Sequence, residues 1–188
     1  MSEGEVGPNC PDETIVALVA MLQQDEPAGI AELRNLVARF EGDARLHFLQ
    51  GSMMAGHKDY AAARAAMRRA IDIAPDFAIA RFQLGFLQLT SGEAWPAQET
   101  WGPLHGLAER HYLRFFVDGL CHLIRDEFAE AISKLEQGIA ANDENLPLNK
   151  DMSLVLDEMR REGMSGGQGE MSSAQMLLQQ ASLRSTRH

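Results

Sequence analysis

Small residues recur in this chain at a fixed interval of 34 positions: Ala17, Gly51, Gly85 and Gly119. Twelve residues beyond each stands a second small residue: Gly29, Ala63, Ala97 and Ala131. Four residues further come Leu33, Met67, Trp101 and Leu135, and three beyond those Leu36, Ala70, Leu104 and Gly138. Such a period constrains the fold more than any single motif does. Each unit must be a supersecondary element that cannot bury its apolar face alone and so stacks on its neighbours. Two antiparallel helices come close only where a side chain is small. The period therefore predicts crossings at Gly51/Ala63, Gly85/Ala97 and Gly119/Ala131, with the large residues filling the space between pairs.

Caps and breakers place the helices near 11–24, 27–40, 44–56, 59–73, 77–90, 94–108, 110–124 and 127–141. Pro11 and Pro27 suit first helical positions. Asp43 and Asp59 suit N-caps, and Gly56, Gly92 and Pro75 sit where helices stop. Gly102-Pro103 falls inside the sixth helix and predicts a kink, because a mid-helix proline costs about 3 kcal/mol. Residues 145–163 continue the register as a solvating helix. Its apolar side is Met152, Leu154, Val155, Leu156 and Met159; its wet side is Asp151, Asp157, Glu158, Arg160 and Arg161.

This spacing resembles the tetratricopeptide (TPR) repeat, a 34-residue helix–turn–helix unit. The best copy runs from Ala44 to Asp76 and carries Gly51, Lys58-Asp59-Tyr60, Ala63, Met67, Ala70 and Pro75. The next carries Leu84-Gly85, Gly92, Ala97 and Trp101; the third carries Phe115, Gly119, Asp126 to Phe128, Ala131 and Leu135. The repeat's tryptophan place is taken by His47, Arg81 and Phe115, and its proline is present only as Pro75. The resemblance implies an all-α, TPR-type helical-hairpin solenoid of about four repeats plus a capping helix. The expected organisation is a flexible N-terminus at 1–10, the repeat domain with its capping helix at 11–162, a Gly/Ser-rich linker at 163–173, and a tethered amphipathic helix at 174–188.

Composition narrows the function. The formal net charge is −10. Such a chain lacks the Lys and Arg excess that displaces counterions from a phosphate backbone, so no nucleic-acid partner is expected. There is no basic, apolar leader and no apolar run of bilayer length, so no membrane insertion and a soluble, cytoplasmic protein are expected. The two cysteines, Cys10 and Cys121, are far apart in sequence and do not make a disulfide framework. No nucleophile elbow, no metal-ligand spacing and no phosphate loop occurs: Gly166-Gly167-Gln168-Gly169-Glu170 reads as linker. Catalytic residues, metal and cofactor are therefore all read as none.

In TPR proteins the first helix of each pair lines the concave face, and the resemblance carries that role to Phe48, Phe82, Phe86, Leu89, Phe116, Leu120 and Leu123. The family's carboxylate clamp does not carry over. Phe48, Phe82 and Phe116 hold the clamp-lysine place, and Ser52, Phe86 and Leu120 the clamp-asparagine place. An apolar row of that kind fits an amphipathic helix laid in a groove. Each of these residues also reads as inter-helix packing. The expected function is a non-enzymatic adaptor, scaffold or chaperone for a helical protein or peptide segment. A cytoplasmic secretion-type chaperone is the narrower alternative, and an enzyme with an unrecognised cleft is the alternative of another class. In the tail, Leu177, Leu178 and Ala181 share a helical face beside Arg184, which suits docking on an acidic, apolar surface and self-association through the tail.

Overall fold

In a computed structural model of the chain, residues 9–165 are described, with their side chains through Arg161. Among these residues lie nine α-helices and no strand: α1 (Asp12–Gln24), α2 (Glu26–Arg39), α3 (Ala44–Gly56), α4 (Tyr60–Ile73), α5 (Ala78–Thr90), α6 (Ala94–Trp101), α7 (Tyr112–Ile124), α8 (Phe128–Ala141) and α9 (Leu146–Ser165). A 3-10 helix, Gly102–Gly106, follows α6. The chain divides into two compact units, Met1–Ala80 and Arg81–His188.

The sequence period is present in the backbone. Helices α3, α5, α7 and α9 begin at 44, 78, 112 and 146, and α2, α4, α6 and α8 at 26, 60, 94 and 128, so like helices start 34 residues apart. The turns repeat as well. Lys58, Gly92 and Asp126, again 34 apart, all have positive φ, at 64°, 84° and 58°. At each, two hydrogen bonds close the preceding helix. The N–H groups of Lys58, Gly92 and Asp126 donate to the carbonyls of Ala55, Leu89 and Leu123. Those of Asp59, Glu93 and Glu127 donate to Met54, Gln88 and His122. This is the Schellman pattern, which satisfies the last carbonyls of a helix with one left-handed residue.

In the first unit, Leu18, Leu33, Leu36, Leu46 and Cys10 form one buried cluster, with Ile15, Leu22 and Phe40 packed on it. A Cβ on Gly51 would stand 2.7 Å from Met67 Cγ and 3.1 Å from the Ala63 carbonyl, so this crossing is as expected. The first pair differs. Asp25 alone joins α1 to α2, accepting from the Ala28 N–H at 3.1 Å, and α1 runs to Gln24. A Cβ on Gly29 would stand 2.8 Å from Leu22 Cα, while Ala17, the register's small residue, is exposed.

In the second unit, a Cβ on Gly119 would stand 2.8 Å from Leu135 Cδ2 and 3.2 Å from the Ala131 carbonyl. At Gly85 the indole of Trp101 fills the space that a Cβ would need. The sixth helix stops at Trp101 and continues only as the 3-10 turn, which is a break and not the expected kink. Pro103 has no N–H to donate and its ring clashes with the carbonyl four residues earlier; the Gly102 N–H bonds to Glu99. Helix α9 covers α8 with Leu148, Met152, Val155, Leu156 and Met159 buried. Glu158, expected on its wet side, is buried at 4% exposure and pairs with Arg161 at 2.9 Å. Asn142, also buried, joins α8 to α9, donating to the Asn145 carbonyl and to Asn149 Oδ1, each at 2.8 Å.

Two domain boundaries shift. Cys10, placed by sequence in a flexible N-terminus, is 2% exposed, and its N–H donates to Asp43 at 2.9 Å. Residues 163–165, assigned to the linker, belong to α9. The rest of the linker, 166–173, and the tail helix, 174–188, lie outside the described residues.

Candidate partner-binding surface

The seven expected groove residues separate by burial. Phe82, Phe116, Leu120 and Leu123 are completely buried and Leu89 is 4% exposed. Phe48 and Phe86 are half-buried. The expected open apolar row is therefore not present at five of its seven positions. Phe82 lies 6.1 Å from the Trp101 ring, 6.2 Å from Phe86 and 6.0 Å from Phe116, and Phe116 meets Tyr112 edge-on at 5.9 Å. These rings are the core of the second unit. The cause is the glycines. Gly85 and Gly138 let Trp101 and Phe116 sit where a Cβ would otherwise stand, so the aromatic side chains pack between helices. The period marked those glycines, but it did not show which large residue each would receive.

Two of the seven keep accessible surface. Phe48, on α3, packs edge-on against Phe77 at 5.2 Å. Phe86, on α5, stacks on the buried Phe82. Near Phe48 on the same helix, Ser52 and Met53 line a depression of about 490 Å³ with Glu26, Gly56 and His57. His57 and Glu26 close one side of it at 2.8 Å.

Arg45, one turn before Phe48, is committed elsewhere. Its guanidinium donates to both Asp43 oxygens at 3.0 and 2.7 Å, to the Cys10 carbonyl at 2.6 Å and to Asp12 at 2.5 Å. Asp43 also caps α3 through the Arg45 N–H at 3.0 Å. Burial pushes the Asp43 carboxyl up. The hydrogen bonds from Arg45 and from the Cys10 N–H outweigh burial and hold it below the ordinary carboxylate range. Sequence marked Asp43 as a cap but gave no sign of this clasp, whose partners lie more than 30 residues apart.

In the second unit, Arg125 and His122 both bond to Glu127 Oε2, at 2.9 and 2.6 Å. They hold that carboxyl below its ordinary range. Burial pushes the Cys10 and Cys121 thiols up. Among the described residues no three His, Cys, Asp or Glu side chains gather closely enough for a metal ion, and no helix is long and apolar enough to cross a membrane. The tail residues Leu177, Leu178, Ala181 and Arg184 lie outside the described residues.

No protein-family model, curated protein or solved structure matches this chain. The described residues define the class: an all-helical protein whose nine helices pack as sequential pairs.

Proposed function

We propose that this chain is a TPR-type helical-hairpin repeat protein and a non-enzymatic, cytoplasmic interaction module, binding an apolar or amphipathic helical segment of a partner protein. What supports the reading is the 34-residue repetition of the left-handed turn at Lys58, Gly92 and Asp126, added to the sequence resemblance. On this reading each unit offers its own contact on the first helix of a pair: Phe48 on α3 and Phe86 on α5. Phe82, itself packed on Phe116, supports Phe86 from within the second unit. An aromatic ring that is partly exposed and backed by a packed ring is a low-entropy anchor for a helix ridge. The tail is read as a competing helical segment, with Leu177, Leu178 and Ala181 as its ridge and Arg184 beside an acidic body.

The test is capture from cell extract with the intact chain, repeated with Phe48→Asp and Phe86→Asp. A captured protein should bind through a helical segment, and both substitutions should weaken it at least tenfold while circular dichroism is unchanged. A partner held equally by the double variant would overturn this assignment of the surface.

A further inference from the structure

Helix α1 is apolar on two sides. Ile15, Leu18 and Leu22 pack into the core of the first unit. On the opposite side a second stripe follows helical spacing: Glu13, Val16, Ala17, Ala20 and Gln24, with Met21 on its flank. Val16 is 69% and Met21 39% exposed. A helix packed on one side ordinarily turns a polar face outward, as α9 does with Asp157, Arg160 and Arg161. α1 carries no basic residue at all.

We propose that this outer face is a self-association surface, on which α1 of a second copy packs antiparallel about a two-fold axis. The stripe is self-complementary about the point between Leu18 and Val19. Antiparallel packing sets Val16 against Met21 of the partner subunit, large against large. It sets Ala17 against Ala20 of the partner subunit, where the backbones approach. It sets Glu13 against Gln24 of the partner subunit, an acceptor against an amide donor. Each of the three contacts recurs by symmetry, as an isologous interface requires. Parallel packing would place Glu13 beside its own copy. Asp12, the other acidic residue of the first turn, lies off the stripe and is already paired with Arg45 at 2.5 Å. Opposed helix dipoles favour the same orientation.

The area sets the strength. α1 has 13 residues, so it is about 20 Å long, and a ridge about 10 Å wide covers roughly 200 Å² per copy. A stable dimer buries about 800 Å² per partner. The association is therefore weak and concentration-dependent.

Sedimentation equilibrium of the full chain tests it. The mass should rise from monomer towards dimer between about 0.05 and 1 mM, the range that fits so small an interface. Val16→Asp with Met21→Asp should remain monomeric with unchanged helicity, since both side chains are exposed. Leu177→Asp with Leu178→Asp should dimerise like the wild type. In a Cys121→Ser background, an oxidised equimolar mixture of Ala17→Cys and Ala20→Cys chains should give more mixed dimer than both symmetric dimers together, which random pairing would only equal; Cys10 is buried and does not compete. A monomer throughout that range overturns the proposal. So does a dimer that survives Val16→Asp with Met21→Asp, or mixed cross-links no more abundant than the symmetric ones together. Loss of the dimer in Leu177→Asp with Leu178→Asp would assign the contact to the tail and overturn it equally.

Discussion

Trp101 occupies the place that a side chain on Gly85 would need, and its indole N–H donates to the Phe82 carbonyl at 2.9 Å. One residue therefore fills the crossing of α5 and α6 and satisfies its own polar atom inside it. A buried Trp removes about 150–250 Å² from water, worth roughly 4–6 kcal/mol before entropy is subtracted. Gly85→Ala must displace that ring. We expect a loss of about 1–3 kcal/mol, read as a lower urea midpoint at unchanged slope. Gly56→Ala, where a Cβ meets nothing within 4 Å, is the control and should not lose stability by overpacking.

The three left-handed turns give a second prediction. Only Gly92 is a glycine; Lys58 and Asp126 hold the same conformation with a Cβ. A left-handed L-residue costs about 1–2 kcal/mol, less for Asp. Lys58→Gly should stabilise the protein by about 1 kcal/mol and Asp126→Gly by less, after the added unfolded-state entropy is deducted. Gly92→Ala should destabilise it by about 1 kcal/mol. Thermal melting of the three variants checks both signs.

Asp43 predicts a pH dependence. Its folded pKa is lowered, so its contribution is fully present above the ordinary value of about 3.9. That contribution is lost as pH falls through the lower folded value. Asp43→Ala removes the α3 cap, about 1 kcal/mol, and orphans the Cys10 N–H, about 1–3 kcal/mol. We expect a loss of about 2–4 kcal/mol at pH 7, from those two losses together. The gap between variant and wild type should narrow below about pH 4, where wild-type Asp43 begins to take up its proton. A gap constant down to pH 2 would show that the carboxylate charge is not what holds the clasp.

Much of this fold was legible because its period is local. Small residues 34 apart, with caps and breakers at fixed offsets, place every α-helix except α6 to within two residues at each end. The first pair has the expected bounds but not the repeat's crossing: Asp25 replaces the three-residue turn, Ala17 is exposed, and Leu22 takes the place beside Gly29. Spacing marks Trp101 as a large residue of the pattern. That it would bury Phe82 and Phe116 with it depended on contacts between helices, which spacing along one helix does not give. Asp43 looked like a cap from its position, whereas its bonds to Arg45 and Cys10 join segments the sequence keeps apart.

Burial separates the aromatic residues into core and partly exposed positions. Phe82 is completely buried, and Phe82→Asp places an unpaired carboxylate in the core. We expect the second unit to unfold, by a cost above about 4 kcal/mol. Phe86→Asp, on the same helix but only partly buried, should cost about 1–2 kcal/mol and leave the fold intact. Denaturation followed by near-ultraviolet dichroism of Trp101 distinguishes the two.

The central claim is that one hairpin geometry recurs every 34 residues, and nuclear magnetic resonance of the backbone tests it most directly. Chemical shifts and couplings should show helical runs broken at 57–59, 91–93 and 125–127, with positive φ at Lys58, Gly92 and Asp126 alike. Helical shifts running without interruption through any of those three segments, or negative φ at Lys58 or Asp126, would contradict it.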